Sequence, residues 1–167
     1  MRIRSETEAD HDAVRALNEA AFETPAEAGL VDVLRTKGVE LISLVADIDG
    51  AVVGHILFSA VSLSGQSHLK VMGLGPMAVT PLQQRRGIGS ALIREGLSRC
   101  QDLGCHAVVV LGHAEYYPRF GFVPAAEYAI RSEYDVPEEA FMVAELETGA
   151  LQGISGLIRY DQAFANV

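Results

Sequence analysis

The spacing of apolar positions changes several times along the chain, and each change marks an element. In "MRIRSE", Met1 and Ile3 alternate with Arg2 and Arg4, the pattern of a short strand with one solvated face. Ser5 or Thr7 is placed to cap the helix that follows, where Ala13, Val14, Leu17 and Ala20 or Ala21 recur at helical spacing. Thr24-Pro25 restarts a helix, because proline in the first turn loses no hydrogen bond. Leu30, Val31 and Leu34 form its apolar face, and Gly38 is its expected stop.

The pattern then turns β-like. "ELISLVADIDGAVVGHILFSAVSL" reads as two strands joined at Asp47–Gly50, Asp-Gly being a hairpin signal. "HLKVMGLGPMAV" is a third strand, with Gly73 and Gly75 marking a bulge or a close backbone approach. A helix is expected from about Gly87 to Leu103, with Gly89, Ile93, Gly96, Leu97, Cys100 and Leu103 in its apolar stripe, broadened by Ile88 and Leu92. "CHAVVVLG" is nearly continuous apolar sequence, as in a strand buried on both faces. "AEYYPRFGFVPA" reads as a short helical turn ending at Gly121 and running into a strand; "FMVAEL" is a further strand and "SGLIRYDQAF" closes the chain. This order predicts one α/β domain over residues 1–167, a mixed sheet with a right-handed crossover through the Gly87–Leu103 helix.

Composition narrows the function. The formal net charge is −9, which argues against general binding to nucleic acid or anionic membranes. The first residues lack the apolar run of a signal peptide, and the strongly apolar Ala107–Leu111 run is too short to span a bilayer. Cys100 and Cys105 match no metal spacing and are expected to be reduced and buried in a cytoplasmic protein. None of the five histidines has metal-ligand spacing.

Against that acidic background, "PLQQRRGIGSAL" gathers Arg85, Arg86, Gly87 and Gly89 at a strand-to-helix turn. A helix start carries unpaired N–H groups and partial positive charge, which suits phosphate. Gly87 and Gly89 permit close approach, Ser90 adds a donor, and the arginines add charge that a diphosphate would use. The turn is not a Walker A loop, since no Gly-Lys-Ser/Thr follows. It is not the dinucleotide fingerprint either, whose third glycine would fall on Leu92. An ordinary structural turn is the alternative.

Gln84-x-x-Gly87-x-Gly89 resembles the pyrophosphate-binding signature of the GNAT-type N-acetyltransferases, where it cradles coenzyme A. "YYPRFGF" is similar to the family's second landmark, with Tyr117 four residues before Gly121 and Phe122 completing the Gly-Phe pair. The order of elements resembles the family over nearly the whole chain. The wording "LGHAEYYPRFGF" resembles a bacterial branch of small, mostly uncharacterised members. The resemblance implies the α/β GNAT acyl-CoA N-acyltransferase fold, with about seven strands and about four helices. It implies a splay between the strands on either side of the long helix, here Gly75–Val79 and Ala107–Leu111. It also implies acetyl-CoA as co-substrate, an amine as acceptor and no metal. The domain core would end near residue 148, leaving 149–167 as an extension that adds an edge strand or makes a homodimer contact.

The resemblance further implies individual roles. Met77, Ala78 and Val79 would lie along the acetyl-CoA arm, with Met77 and Val79 backbone groups pairing with pantetheine amides. Amides around Arg85, Arg86, Gly87, Ile88, Gly89 and Ser90 would take the pyrophosphate, and Gln84 marks the signature. Tyr117 would donate a hydrogen bond to the leaving thiolate, with Tyr116 as the alternative register. An amine of pKa about 10.4 needs roughly 4–5 kcal/mol to be neutral at pH 7, so a base or water chain must take a proton. His113 is the candidate base, and a capping role in the next turn is its alternative; Glu115 is the other carboxylate nearby. Arg119 binds either the 3′-phosphate or a substrate carboxylate, or stacks structurally between aromatics. Acceptor recognition falls to Glu19–Ala28 and Ala125–Phe141, whose acidic residues would favour a cationic amine. A non-catalytic acyl-CoA-binding module on the same fold is the other functional class.

Overall fold

The computed structural model describes the backbone of residues 1–167 and every side chain but that of Asn166. Three α-helices form: α1 (His11–Ala21), α2 (Ala26–Lys37) and α3 (Ile88–Asp102). The strands are β1 (Arg2–Ser5), β2 (Leu41–Ile48), β3 (Ala51–Leu63), β4 (Val71–Val79), β5 (Ala107–Leu111), β6 (Val123–Pro124), β7 (Ile130–Ser132), β8 (Phe141–Glu145) and β9 (Gly156–Arg159). Their order is β1-β2-β3-β4-β5-β8-β6, with β9 paired to β3 and β7. The β4–β5 and β7–β9 pairs are parallel and the β1–β2, β2–β3, β5–β8 and β6–β8 pairs antiparallel, so the sheet is mixed as expected. The expected fourth helix is a 3₁₀ turn at Tyr117–Phe120, which Gly121 ends after four residues at φ 95°. Nine strands form where about seven were expected; β7, three residues long, is too short to show a period in the sequence.

The chain forms two compact units, Met1–Ser59 with Gly75–Gly96 and Gln162–Val167, and Ala60–Leu74 with Leu97–Asp161. In the first unit, Asp49 (φ 52°) and Gly50 (φ 87°) make the turn between β2 and β3, the two positive values that a two-residue hairpin requires. Val14, Leu30, Val31 and Leu34 pack on Val45 and Leu57 of the sheet. Each such buried side chain contributes about 1.5–3 kcal/mol. Gly38 ends α2 at φ 71°. In α1 the buried face is Val14, Leu17 and Asn18, while Ala13, Ala20 and Ala21 are exposed.

Asn18 occupies that apolar face because it belongs to a buried polar chain. Its Nδ2 donates to Val14 O at 3.0 Å and lies 3.2 Å from His55 Nδ1. Ser43 Oγ lies 2.9 Å from His55 Nε2 and donates to Glu6 Oε1 at 2.9 Å. Glu6 is ion-paired with Arg35. An amide nitrogen only donates, so His55 Nδ1 accepts and its proton sits on Nε2, directed at Ser43. Burial, and then the Arg35 charge, push the His55 pKa down to about 3.

In the second unit, β5 pairs with β4 from Val71–Ala107 to Leu74–Val110, and with β8 from Ala107–Glu145 to Leu111–Phe141. Val108, Val109 and Val110 are buried, as the unbroken apolar run predicted. Leu103 is exposed because α3 ends one residue earlier. Cys100 and Cys105 are free and buried, and the Cys105 sulfur, followed by burial, pushes the Cys100 thiol up. The closing segment is part of this unit's core: Leu151 and Ile158 pack with Val71, Ala107 and Val143. β9 lies between β3 and β7 instead of on a free edge.

A Cβ on Gly96 would stand 2.1 Å from the Phe58 ring, whereas one on Gly29 within α2 meets nothing within 4 Å. Gly96→Ala should therefore cost about 1–3 kcal/mol by overpacking, and Gly29→Ala should stabilise by about 0.5–1 kcal/mol. Urea denaturation of the two variants gives the comparison.

His55 also sets a pH dependence. Its folded pKa is lower than the unfolded value, so the unfolded chain binds the extra proton and stability falls as pH drops below about 6.5. Between pH 6.5 and 4.5 the loss should reach about 2–3 kcal/mol. His55→Gln should flatten that slope, whatever its own stability, in chemical denaturation at several pH values.

Candidate active site

Of the predicted cofactor-binding residues, Met77 to Ser90 fall in the first unit, on β4 and the turn that opens α3, and Tyr117 falls in the second. Thr80 N donates to Val53 O at 2.8 Å, which ties the end of β4 to β3. A 3₁₀ turn at Pro81–Gln83 follows. Gln84 Nε2 then donates to Val79 O at 3.1 Å, so this side chain braces the strand end against the turn. Arg85 takes φ 64°, uncommon for a residue with a Cβ, and Gly87 takes φ 80°, where glycine carries no penalty. Ala91 N bonds Gly87 O at 3.0 Å as the helical ladder begins. By helical geometry the amides of Ile88 and Gly89 have no carbonyl four residues back inside the helix. Arg85 and Arg86 are exposed, and among the described residues a 3.5 Å contact to Gln83 Oε1 engages the Arg86 guanidinium. Backbone donors, a Cβ-free Gly87 and two available guanidinium groups fit a diphosphate.

On β4, Ala78 is buried and Met77 and Val79 are half-buried. The β4–β5 ladder is four pairs long and ends at Leu74–Val110. β4 runs on through Gly75–Val79, while Leu111 pairs with Phe141 of β8.

The predicted catalytic residues fall in the second unit, just past β5. His113 is exposed, and its carbonyl accepts Tyr116 N at 3.1 Å and Tyr117 N at 3.3 Å, starting the 3₁₀ turn that carries Tyr117. Tyr117 is 8% exposed, and its ring meets Tyr116, Phe120 and Phe122 edge-on. A Cβ at Gly112 would lie 2.3 Å from that ring, so only glycine leaves room for the tyrosine to lie down on the backbone. Among the described residues the Tyr117 hydroxyl has no hydrogen-bond partner. Burial, and then Tyr116, push its pKa up to about 12. Arg119 donates from Nε to Tyr116 O at 3.0 Å and sits 4.8 Å over the Tyr116 ring, the structural alternative read for it above. Glu115 is exposed.

Sequence reasoning singled out neither Gly112 nor the His55 chain. Gly112 is adjacent to His113, but its need for glycine comes from a ring five positions later. Among the described residues no group of three or more His, Cys, Asp or Glu side chains could hold a metal, and no helix is long and apolar enough to cross a membrane.

The profile of the Acetyltransferase (GNAT) family matches residues 11–122, which takes in α1, the glycine turn, α3 and the Tyr117 turn. The chain belongs to the GNAT family. An N-acetyltransferase of Escherichia coli K12, YhbS, described as uncharacterised, is 39% identical over 165 residues, covering 98% of both chains. A crystal structure of the E. coli GNAT family protein YhbS in complex with CoA superposes with a TM-score of 0.94 at 38% identity, over 98% of this chain and 91% of that one. A Brucella melitensis GNAT family acetyltransferase in complex with acetyl-CoA has a TM-score of 0.80 at 34% identity, over 98% and 97%. The expected GNAT fold is thus borne out.

Within this GNAT chain, the seat of Tyr117 is open to test. Gly112→Ala should displace the ring toward water and bring its pKa down from about 12 toward the ordinary tyrosine value. Ultraviolet titration should show a late-ionising tyrosine in the wild type, absent in Tyr117→Phe and shifted to lower pH in Gly112→Ala.

Proposed function

We propose that the chain transfers an acetyl group from acetyl-CoA to an amine, with Tyr117 as hydrogen-bond donor and His113 as base. Membership of the GNAT family, together with relatives solved with CoA and acetyl-CoA, supports the cofactor. When bound, acetyl-CoA supplies an activated thioester. The residues that would hold it are Met77, Ala78 and Val79 along β4 and Arg85, Arg86, Gly87, Ile88, Gly89 and Ser90 at the turn. Gln84 keeps the Val79 end of the strand in place through its bond to Val79 O.

The observation that carries the tyrosine assignment is a nearly buried phenol with no partner for its hydroxyl among the described residues. A pKa pushed up to about 12 keeps that proton in place across the working pH range. Moving it fully to a thiolate of ordinary pKa about 8.5 would cost about 5 kcal/mol. Tyr117 therefore acts as a donor to developing negative charge and retains its proton. His113 is assigned as base on its exposed ring, one residue beyond the glycine that seats Tyr117. The reading extends to the cytoplasm, where two free, buried thiols suit a reducing compartment.

Release of free coenzyme A thiol from acetyl-CoA, followed across a panel of amines, tests the reading. Tyr117→Phe should lower kcat by at least about tenfold with little change in KM for acetyl-CoA, while Tyr116→Phe stays near wild type. Tight acetyl-CoA binding with no thiol release for any amine would favour a non-catalytic module. Equal rates for Tyr117→Phe and wild type would sink the tyrosine role.

A further inference from the structure

The turn that ends α3 brings the two cysteines of the chain together. Gly104 takes φ 85°, Gly104 N donates to Gln101 O at 3.0 Å, and Cys105 N donates to Cys100 O at 3.0 Å. These two bonds are the nested pair of a Schellman cap, with Gly104 as its left-handed residue. Such a cap closes with a side-chain contact between the residue after the glycine and the residue accepting the outer bond, normally two hydrophobes. Here those positions are Cys105 and Cys100, and the Cys105 sulfur hydrogen-bonds the Cys100 thiol. Both are thiols; Cys100 is fully buried and Cys105 is 3% exposed.

The backbone beyond the cap is tied down within the same unit. His106 N donates to Lys70 O at 2.8 Å, Lys70 N donates to His106 Nδ1 at 2.9 Å, and Leu146 N donates to His106 O at 2.8 Å. The residue after Cys105 is thus held by the start of β4 on one side and the end of β8 on the other. Cys100 is held in turn by the last residues of α3. A disulfide needs two Cα atoms close together and Cβ bonds that converge. A cap that already sets sulfur against sulfur meets that need with little movement.

In the closed turn the Cys105 sulfur, and then burial, keep Cys100 protonated and unreactive. Opening is local, because Gln101, Asp102, Leu103 and Gly104 are all exposed and cover the pair by a single turn. Lys70, whose Nζ donates to Leu103 O at 3.4 Å, brings positive charge that favours the Cys100 thiolate.

We propose that Cys100 and Cys105 form a thiol–disulfide exchange site, which a small-molecule disulfide converts into a crosslink across the α3 cap. One protein thiolate attacks the small disulfide, forming a mixed disulfide and releasing one small thiolate. The second protein thiolate attacks the protein sulfur of that mixed disulfide, forming the Cys100–Cys105 bond and releasing the other. The two protein thiols give up two protons and two electrons, which the small disulfide takes up as two thiols. In a reducing compartment the pair rests as thiols, and the crosslink forms when the small-thiol pool is oxidised.

The test equilibrates the full chain, native and urea-unfolded, with mixtures of glutathione and glutathione disulfide, then reads acid-quenched masses. The native chain should lose two hydrogens as a monomer, and with no other cysteine present that loss identifies the bond. Its equilibrium constant for crosslinking should be at least about tenfold larger than that of the unfolded chain, since the cap holds the sulfurs together. Amide exchange at Gly104 and Cys105 should slow at least about tenfold on oxidation and recover with dithiothreitol. A constant no larger in the native chain, or thiols that stay reduced where the unfolded chain is oxidised, would mean an ordinary cap packed with two sulfurs and would overturn the inference. Stable glutathione adducts or crosslinked dimers in place of the internal bond would overturn it too, as would amide exchange that ignores the oxidation state.

Discussion

The parallel pairing of β4 with β5 is the constraint on which the rest of the fold depends. Two parallel neighbours cannot be joined by a hairpin, so the chain must cross over, and α3 is that crossover. The helix needs a start, and the start follows directly from the carboxyl end of β4. The glycine turn is therefore where the topology leaves N–H groups without helical partners. The carboxyl end of β5 leads in the same way into Gly112, His113 and Tyr117. In open α/β sheets, ligands gather outside the carboxyl ends of parallel strands. Within its own unit, each group of candidate residues follows the carboxyl end of one of these two strands.

Much of this was legible because it rests on local rules. The hairpin at Asp49–Gly50, the stop at Gly38, the buried run of β5 and the start of α3 all follow from residue type and spacing within a few positions. Gly87 was legible for a related reason, since its φ of 80° is a property of one residue in one turn. The errors arose where tertiary contacts decided. Leu103 has the spacing of a core residue, but the helix ends before it. The alanines of α1 have helical spacing and remain in solvent, while Asn18 is buried among apolar neighbours because His55, thirty-seven positions away, needs a donor. No window of sequence contains both partners.

Gly96 and Gly112 show the same limit from the opposite side. Both are glycines in positions where φ does not demand one, and both are required by an aromatic ring that lies on the backbone. Gly96 was placed correctly in the apolar stripe of α3 by period alone, but the Phe58 ring that fills its missing Cβ comes from β3. Gly112 reads in sequence as the end of the "CHAVVVLG" strand. A glycine that makes room is indistinguishable in sequence from a glycine that turns.

Gly112 also bears on the chemistry. A tyrosine that must give up its proton works best near the surface, where water stabilises the phenolate. A tyrosine that must hold its proton and offer it as a hydrogen bond works best with its ring buried and its hydroxyl unshared. Gly112 lets the Tyr117 ring lie on the backbone, and Phe122 and Phe120 close on its edges. That burial raises the cost of ionisation. The same packing that looks like ordinary aromatic core therefore favours the donor role over the acid role. Donation would leave the one developing negative charge on the sulfur, whereas full transfer would move that same charge onto a phenolate held among packed rings.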